Sequence, residues 1–188
     1  EYFSFHTTDA EYQLLEKIRH IPKTKFLAGN ADFALGIVTG NNKKYISSVK
    51  NKDNEVILKG SDICKYHTNP NSNYIVFNPQ NFQQVAPIEM YRAPEKLLYR
   101  FISSQLVFAY DDKQTLSLNS CNLVIPKLEG LHIKYILAIL NSRVAQFIYK
   151  MEFHSVKVLR SHIENIPIPD VNAGMQNSII QAVEPLIN

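Results

Sequence analysis

The chain has 188 residues, 45% hydrophobic and 20% charged, a balance that excludes a disordered segment and allows one substantial core or at most two small ones. Its formal net charge of +3 conceals a division: residues 1–16 hold four acids and no base, residues 17–160 hold all 20 bases against ten acids, and residues 161–188 hold three acids and no base. Two cysteines, Cys64 and Cys121, exclude a disulfide framework and fit a reducing cytoplasm, and no apolar run reaches the length of a membrane span.

The basic middle between acidic ends suggests one surface for a polyanion and separate surfaces for the rest of a protein. The first residues, Glu1-Tyr2-Phe3-Ser4-Phe5, carry neither an initiating Met nor the basic start of a signal peptide, so the chain is expected to be part of a longer protein.

Thr8-x-x-Glu11 is a capping box that opens a helix to about His20, ended by Pro22. Strand-like residues then run from Phe26 to Val38. The stretch Ala34–Ile46 predicts a hairpin, because Leu35, Ile37 and Val38 favour strands, as do Tyr45 and Ile46. Between them Thr39-Gly40-Asn41-Asn42 tolerates the positive φ of a reversing chain, and Lys43 and Lys44 follow at once. Such a tip offers backbone amides, carboxamides and ammonium groups to a phosphate backbone, and Asn can pair with an adenine edge.

Val56-Ile57-Leu58 and Tyr74–Phe77 read as short strands, separated by the loop signal Asn69-Pro70-Asn71-Ser72-Asn73. Residues 78–90, with Pro79 and Pro87, should be irregular. Leu97–Ile102 and Leu106–Tyr110 look like paired strands, although Leu97-Leu98-Tyr99 could equally start a helix after Pro94, and Cys121–Ile125 is a further strand. From His132 to Leu140 the chain is apolar nearly all round and should be a buried helix. Asn141-Ser142 interrupts it before a second helix that runs to about Phe153. Ile166-Pro167-Ile168-Pro169 is extended, and residues 172–188 form a last, weak helix. Strands first and helices later predict an α+β domain on a mostly antiparallel sheet, with buried C-terminal helices. The expected organisation is a helix and linker over 1–24, a core over 25–170 and a C-terminal helix over 171–188.

Catalytic motifs are sparse. Asn78-Pro79-Gln80-Asn81-Phe82 only shadows the loop in which adenine methyltransferases hold a flipped base, lacking the second proline. No glycine-rich cofactor turn and no Gly-x-Ser-x-Gly elbow occurs. Asp111-Asp112-Lys113 is the one acid-x-Lys spacing a metal-dependent nuclease could use, and no partner acid stands at a telling distance. Cys64-x-x-His67 gives half the spacing of a zinc site, with Cys121 and His132 poor candidates for the other half.

Basic clusters are better represented. Lys43, Lys44, Lys50, Lys52, Lys59 and Lys65 fall within 23 residues, interleaved with Tyr45 and Tyr66. Arg92, Lys96 and Arg100 recur every fourth residue, so a helix or a strand alike would place them on one face. His154, Lys157 and Arg160 form a third cluster. Three such clusters suit a nucleic-acid surface.

In order along the chain, Gly-Ile-Val-Thr-Gly-Asn-Asn-Lys-Lys-Tyr-Ile (36–46), Leu-Lys-Gly-Ser-Asp-Ile (58–63), Glu-Lys-Leu-Leu-Tyr-Arg (95–100) with Leu-Val-Phe-Ala-Tyr-Asp (106–111), Tyr-Ile-Leu-Ala-Ile-Leu-Asn-Ser (135–142) and Ile-Glu-Asn-Ile-Pro-Ile-Pro (163–169) form a set. This set resembles the TaqI-like C-terminal specificity domains of adenine-specific DNA methyltransferases and fused restriction-modification enzymes. It resembles more loosely the specificity subunits of type I restriction systems. The likeness covers about residues 30–170. It implies a target-recognition domain that reads bases in the major groove of double-stranded DNA. It also implies that S-adenosylmethionine, a flipped adenine and the methyl transfer belong to a methyltransferase domain of the same polypeptide outside this chain, with no cofactor in the chain itself.

On that reading Lys43, Lys44, Lys59, Lys96 and Arg100 are expected on phosphates, with Thr39 and Gly40 shaping the tip. Asn41, Asn42, Arg92, Lys157 and Arg160 are candidate base contacts, and His154 lies beside them. A small nuclease centred on Asp111 and Lys113, or a protein-interaction domain with a basic face, are the alternatives.

Overall fold

The computed structural model describes residues 8–153 and 155–187. In chain order the elements are α1 (Asp9–Arg19), β1 (Thr24–Lys25), β2 (Ala31–Ala34), α2 (Asn42–Tyr45), β3 (Ile46–Ser47), β4 (Glu55–Leu58), β5 (Tyr74–Ile75), α3 (Ile88–Tyr91), β6 (Lys96–Arg100), β7 (Phe108–Asp111), β8 (Leu116–Ser117), β9 (Cys121–Pro126), α4 (Ile133–Asn141), α5 (Arg143–Glu152), α6 (Arg160–Glu164), β10 (Ile168–Pro169) and α7 (Ala173–Ile187).

The main sheet has the order β2-β9-β6-β7 and is antiparallel throughout. Its strands alternate apolar residues on both faces, so both faces are covered. Leu97, Tyr99, Phe108 and Val124 point to a core shared with α1, α4 and α5, where Ile18, Tyr135, Leu140 and Ile148 meet them. Leu98, Ala109, Cys121 and Leu123 point the other way, to Ile37, Ile57, Leu58 and Ile75. That second layer is a smaller sheet, β3-β5-β4-β8, antiparallel except for β4 beside β8. The expected α+β class with buried later helices is what the chain adopts.

The outer edge of β7 is closed by the backbone of Tyr66, which bridges to Ala109, and by side chains that imitate a strand. The Asn141 carboxamide donates to the Phe108 carbonyl and accepts from its amide, at 2.9 and 3.0 Å. Gln146 does the same at Leu106, with both distances 2.9 Å. An open edge is thereby kept from pairing with another chain. The Asn141-Ser142 break has the same economy: Ser142 ends α4 and caps α5, accepting from the Ala145 amide. The Thr8–Glu11 capping box forms as expected.

The hairpin expected over Ala34–Ile46 does not form. β2 ends at Ala34, and Ile37 and Val38 make isolated bridges to Leu118 and Gln84 rather than to Tyr45 and Ile46. Asn41 caps a single helical turn, α2, from which Ile46 enters the small sheet beside Ile75. The segment thus crosses from one sheet to the other. Gly36 makes that crossing possible, since a Cβ there would stand 2.1 Å from the Leu118 carbonyl oxygen.

At the other end of the molecule β1 pairs with β10, Thr24 opposite Pro169 and Lys25 opposite Ile168. The Asp170 amide donates to the Lys23 carbonyl at 2.6 Å, and Lys25 reaches the Asp170 carboxylate at 3.2 Å.

Candidate nucleic-acid interface

The tip at residues 39–45 is shaped by its own polar groups. The Thr39 hydroxyl, buried, donates to Asn42 Oδ1 at 2.6 Å and accepts from the Asn41 amide. Asn41 Oδ1 accepts from the Lys44 amide at 3.1 Å. Gly40 has φ +76°, the left-handed conformation that favours glycine. Two carboxamides expected to read bases therefore spend their oxygens on local structure, and Lys43 and Lys44 project from the turn they build.

Beneath the tip runs a strip of rings. Tyr45 meets Phe82 edge-on at 5.4 Å, Phe82 lies 6.3 Å from Phe77, and Phe77 carries the Arg92 guanidinium at 5.5 Å. The Lys44 ammonium sits over the Tyr45 ring at 5.0 Å, and Lys50 sits over Tyr74 at 5.6 Å. Such contacts hold a flexible cation in place without neutralising it. Lys43, Lys44, Lys50 and Lys52 are all exposed, and among the described residues none forms an ion pair. Lys59, half-buried, stands at the start of the tight turn Gly60–Asp62, whose Asp62 carboxylate accepts from the Lys59 amide.

The second basic cluster is dispersed into the core. Lys96 and Arg100 do share a face of β6, as their even separation requires, but that face is covered by the small sheet. Lys96 has no exposed surface. Its ammonium donates to Asp111 at 2.5 Å and to the Tyr91 carbonyl at 2.7 Å. Burial pulls its pKa below the ordinary lysine value and the Asp111 carboxylate opposes that shift. The phosphate contact expected of Lys96 finds no surface here. Arg100 donates from Nε to the Ile63 carbonyl at 2.7 Å. Arg92 is not on that strand. It grips Glu55 with two bonds of 2.7 and 2.8 Å, which raises its pKa, and also donates to the Gln114 carbonyl.

The third cluster keeps its exposure. Lys157 is open to solvent, and Arg160 stacks over Phe33 at 5.0 Å while its Nε meets Glu164. Arg160 lines a groove of about 410 Å³ along the free edge of β2, with Gln84 and Val85 on the far wall. Gln84 is hydrogen-bonded to Val38, so this groove leads from Arg160 toward the tip. His154 lies outside the described residues.

Asp111, the acid at the centre of the suggested nuclease chemistry, is otherwise engaged. Asp111 accepts from Lys96 and from both the amide and the hydroxyl of Thr115. Pro79–Asn81 forms a single tight turn on the surface. Among the described residues no three His, Cys, Asp or Glu side chains gather to hold a metal ion, and no helix is long and apolar enough to cross a membrane.

Gln83 and Gln84 have no part in the sequence motifs above, although both are exposed beside the tip, and Gln80 and Asn81, quoted there only within a loop motif, are exposed as well. Four carboxamides within five residues were the signal that could have found them.

Comparisons with known proteins bear on the family and the fold. The family described as the TaqI-like C-terminal specificity domain matches residues 55–168. A type II methyltransferase, M.VspI of Vibrio sp. (strain 343), is 40% identical over 63 residues, which make up 34% of this chain and 15% of that protein. Among solved structures, the type IIG restriction endonuclease BpuSI superposes with a TM-score of 0.57 at 12% identity, over 94% of this chain and 28% of that one. A chain solved in work on the assembly and conformational transition of the type I R-M system gives 0.55 at 16%, over 94% and 42%. The HsdS subunit from Thermoanaerobacter tengcongensis gives 0.50 at 14%, over the same shares. The chain thus spans well under half of each of these relatives. The solved structures share the fold, and the family match covers more than half of the chain: it belongs to the TaqI-like C-terminal specificity domains.

Proposed function

We propose that this chain is the double-stranded DNA recognition module of a restriction-modification adenine methyltransferase, or of a fused methyltransferase-endonuclease, and that the face around the small sheet meets the duplex. The observation that carries the reading is the set of four exposed lysines, two of them seated on tyrosines, in a chain of the specificity-domain family. Lys43, Lys44, Lys50 and Lys52 neutralise phosphates, with Lys59 beside them. The groove past Gln84 to Arg160 and Lys157 extends the same surface.

Methyl transfer belongs to a catalytic domain of the same polypeptide, which binds S-adenosylmethionine and receives the flipped adenine. M.VspI, a type II methyltransferase, supports that assignment. Residues 25–170 act as the recognition unit, with 1–24 and 171–188 leading to the rest of the protein, in the cytoplasm. The engagement of Asp111 by Lys96 leaves the nuclease alternative without its centre.

The test is a salt series with the full-length protein on its duplex target. About four phosphate contacts give a log–log slope of affinity against salt of about −3 to −5. An affinity that does not change with salt overturns the reading.

A further inference from the structure

The surface turn at Pro79–Asn81 and the residues after it face the same side as the basic tip. Phe82 is wedged between Tyr45 and Phe77, and its amide donates to the Pro79 carbonyl at 3.2 Å. Two residues on, Gln84 and Val38 exchange both backbone hydrogen bonds, at 2.9 and 3.0 Å. Residue 83 is therefore held between a ring anchor and a two-bond bridge. Its side chain is exposed, and among the described residues its carboxamide makes no hydrogen bond.

The stem of Gln83 rests on Gly40. A Cβ at position 40 would stand 3.3 Å from Gln83 Cβ and 3.4 Å from its Oε1. The absence of a side chain at Gly40 gives Gln83 its seat, and the +76° φ keeps that position to glycine. Asn41 and Asn42 differ in kind, because their oxygens are committed to the tip. Gln83 keeps both an acceptor and a donor side by side. That pair matches the N6 donor and N7 acceptor of adenine in the major groove. Lys43 and Lys44, exposed on the adjoining turn, supply the phosphate contacts that set register.

We propose that Gln83 is a base-reading residue that takes an adenine edge in the major groove, and that Gly40 positions it. The proposal rests on the DNA-recognition reading above. It gives the carboxamide-rich stretch 80–84 a role that neither the family match nor the tip alone supplies.

The test uses the full-length protein and a duplex library with a randomised central segment, sequenced after binding selection. The wild type enriches a defined site. Gln83→Ala loses preference at one adenine of that site by about tenfold or more, with the other positions retained. Gln83→Arg moves the same position to guanine, since guanidinium pairs with guanine O6 and N7. Gly40→Ala relaxes the same position, and adding Gln83→Ala to it relaxes that position no further.

Folded Gln83→Ala and Gln83→Arg proteins that return the wild-type site overturn the proposal. So does an equal loss on every sequence, which would make Gln83 a backbone or scaffold contact. A fallen melting temperature in both Gln83 variants would make it structural and overturns it as well. A wild type that enriches nothing removes the DNA-recognition reading itself, and the role of Gln83 with it.

Discussion

Lys96 on the main sheet has no exposed surface and touches Asp111 at 2.5 Å, whereas Lys43, Lys44, Lys50 and Lys52 around the small sheet are exposed and lack carboxylate partners among the described residues. Both groups come from basic clusters of similar appearance in the sequence. The difference lies in what covers them. The main sheet is sandwiched between helices and a second sheet, so a cation as fully buried there as Lys96 needs a counter-charge beside it. The small sheet is buried at β8 and at Ile57 and Leu58 of β4 but half-buried at β3 and at Tyr74 of β5, and the turns beside those last two strands present positive charge to solvent. One fold thus holds lysine as an internal fastener and, in the function proposed above, as an external contact, and the two uses make opposite predictions for stability and for binding.

The largest effect is expected at the fastener. Asp111→Ala strands the Lys96 ammonium in the core and should cost about 3–5 kcal/mol of folding stability, measured by denaturant unfolding. Replacing both partners, Lys96→Met with Asp111→Leu, should recover much of that loss. Retained stability in Asp111→Ala together with lost DNA affinity would erase the contrast between the two groups.

The external set should behave the other way. Changing Lys43, Lys44, Lys50 and Lys52 together to Ala should lower the salt slope by about 3 to 4. Stability should move by no more than about 0.5 kcal/mol per position, about 2 kcal/mol for the four together. Paired binding and unfolding measurements on the same protein check both halves.

Arg92 sits between the two cases. It is partly exposed, yet its two bonds go to Glu55. Arg92→Ala should cost at most about 1 kcal/mol, discounted for solvent screening, and leave DNA affinity unchanged. A selective loss of affinity would mean that Arg92 leaves Glu55 for the duplex.

The smallest effect concerns pH and the helix layer. His162 is buried against Phe153 at 4.2 Å, its Nδ1 accepts from the Leu159 amide, and burial lowers its pKa. Its folded pKa lies below the ordinary value of about 6.5, so the unfolded chain binds more protons in that range. Stability should fall as pH drops from about 6.5 through the folded pKa. The loss should shrink in His162→Gln, read as the difference between the two unfolding midpoints at neutral and acid pH. The salt slope of DNA binding should be the same in both proteins.

The sequence was legible where local rules and burial agree. Short apolar runs suggested β6, β7 and β9, and the longer apolar run placed α4, because each element is apolar on every side that packs. It was misleading at residues 34–46. Gly40 and the two asparagines do reverse the chain, but Gly36 approaches Leu118 so closely that the strand leaves its sheet, a contact with a residue 82 positions away. The same limit governs the site. Even spacing correctly put Lys96 and Arg100 on one face, but nothing local says that a second sheet covers it. Asn41 and Asn42 looked like readers because a carboxamide carries no mark of whether a neighbouring amide will claim it. The run of carboxamides at 80–84 marks Gln83 in the sequence, but its seat on Gly40 is a contact between residues 43 positions apart.

The pairing of β1 with β10 has a consequence for heredity. Residues 23 and 170 are hydrogen-bonded neighbours, so the chain enters and leaves the sheet-bearing region at a single point. Two genetic crossovers, one near each of those codons, would exchange the region between them as a block, leaving α1 and α7 on the flanks to repack against it. Selection for new targets can therefore act by wholesale replacement as well as by point substitution. A host protein would meet the newcomer through those two helices.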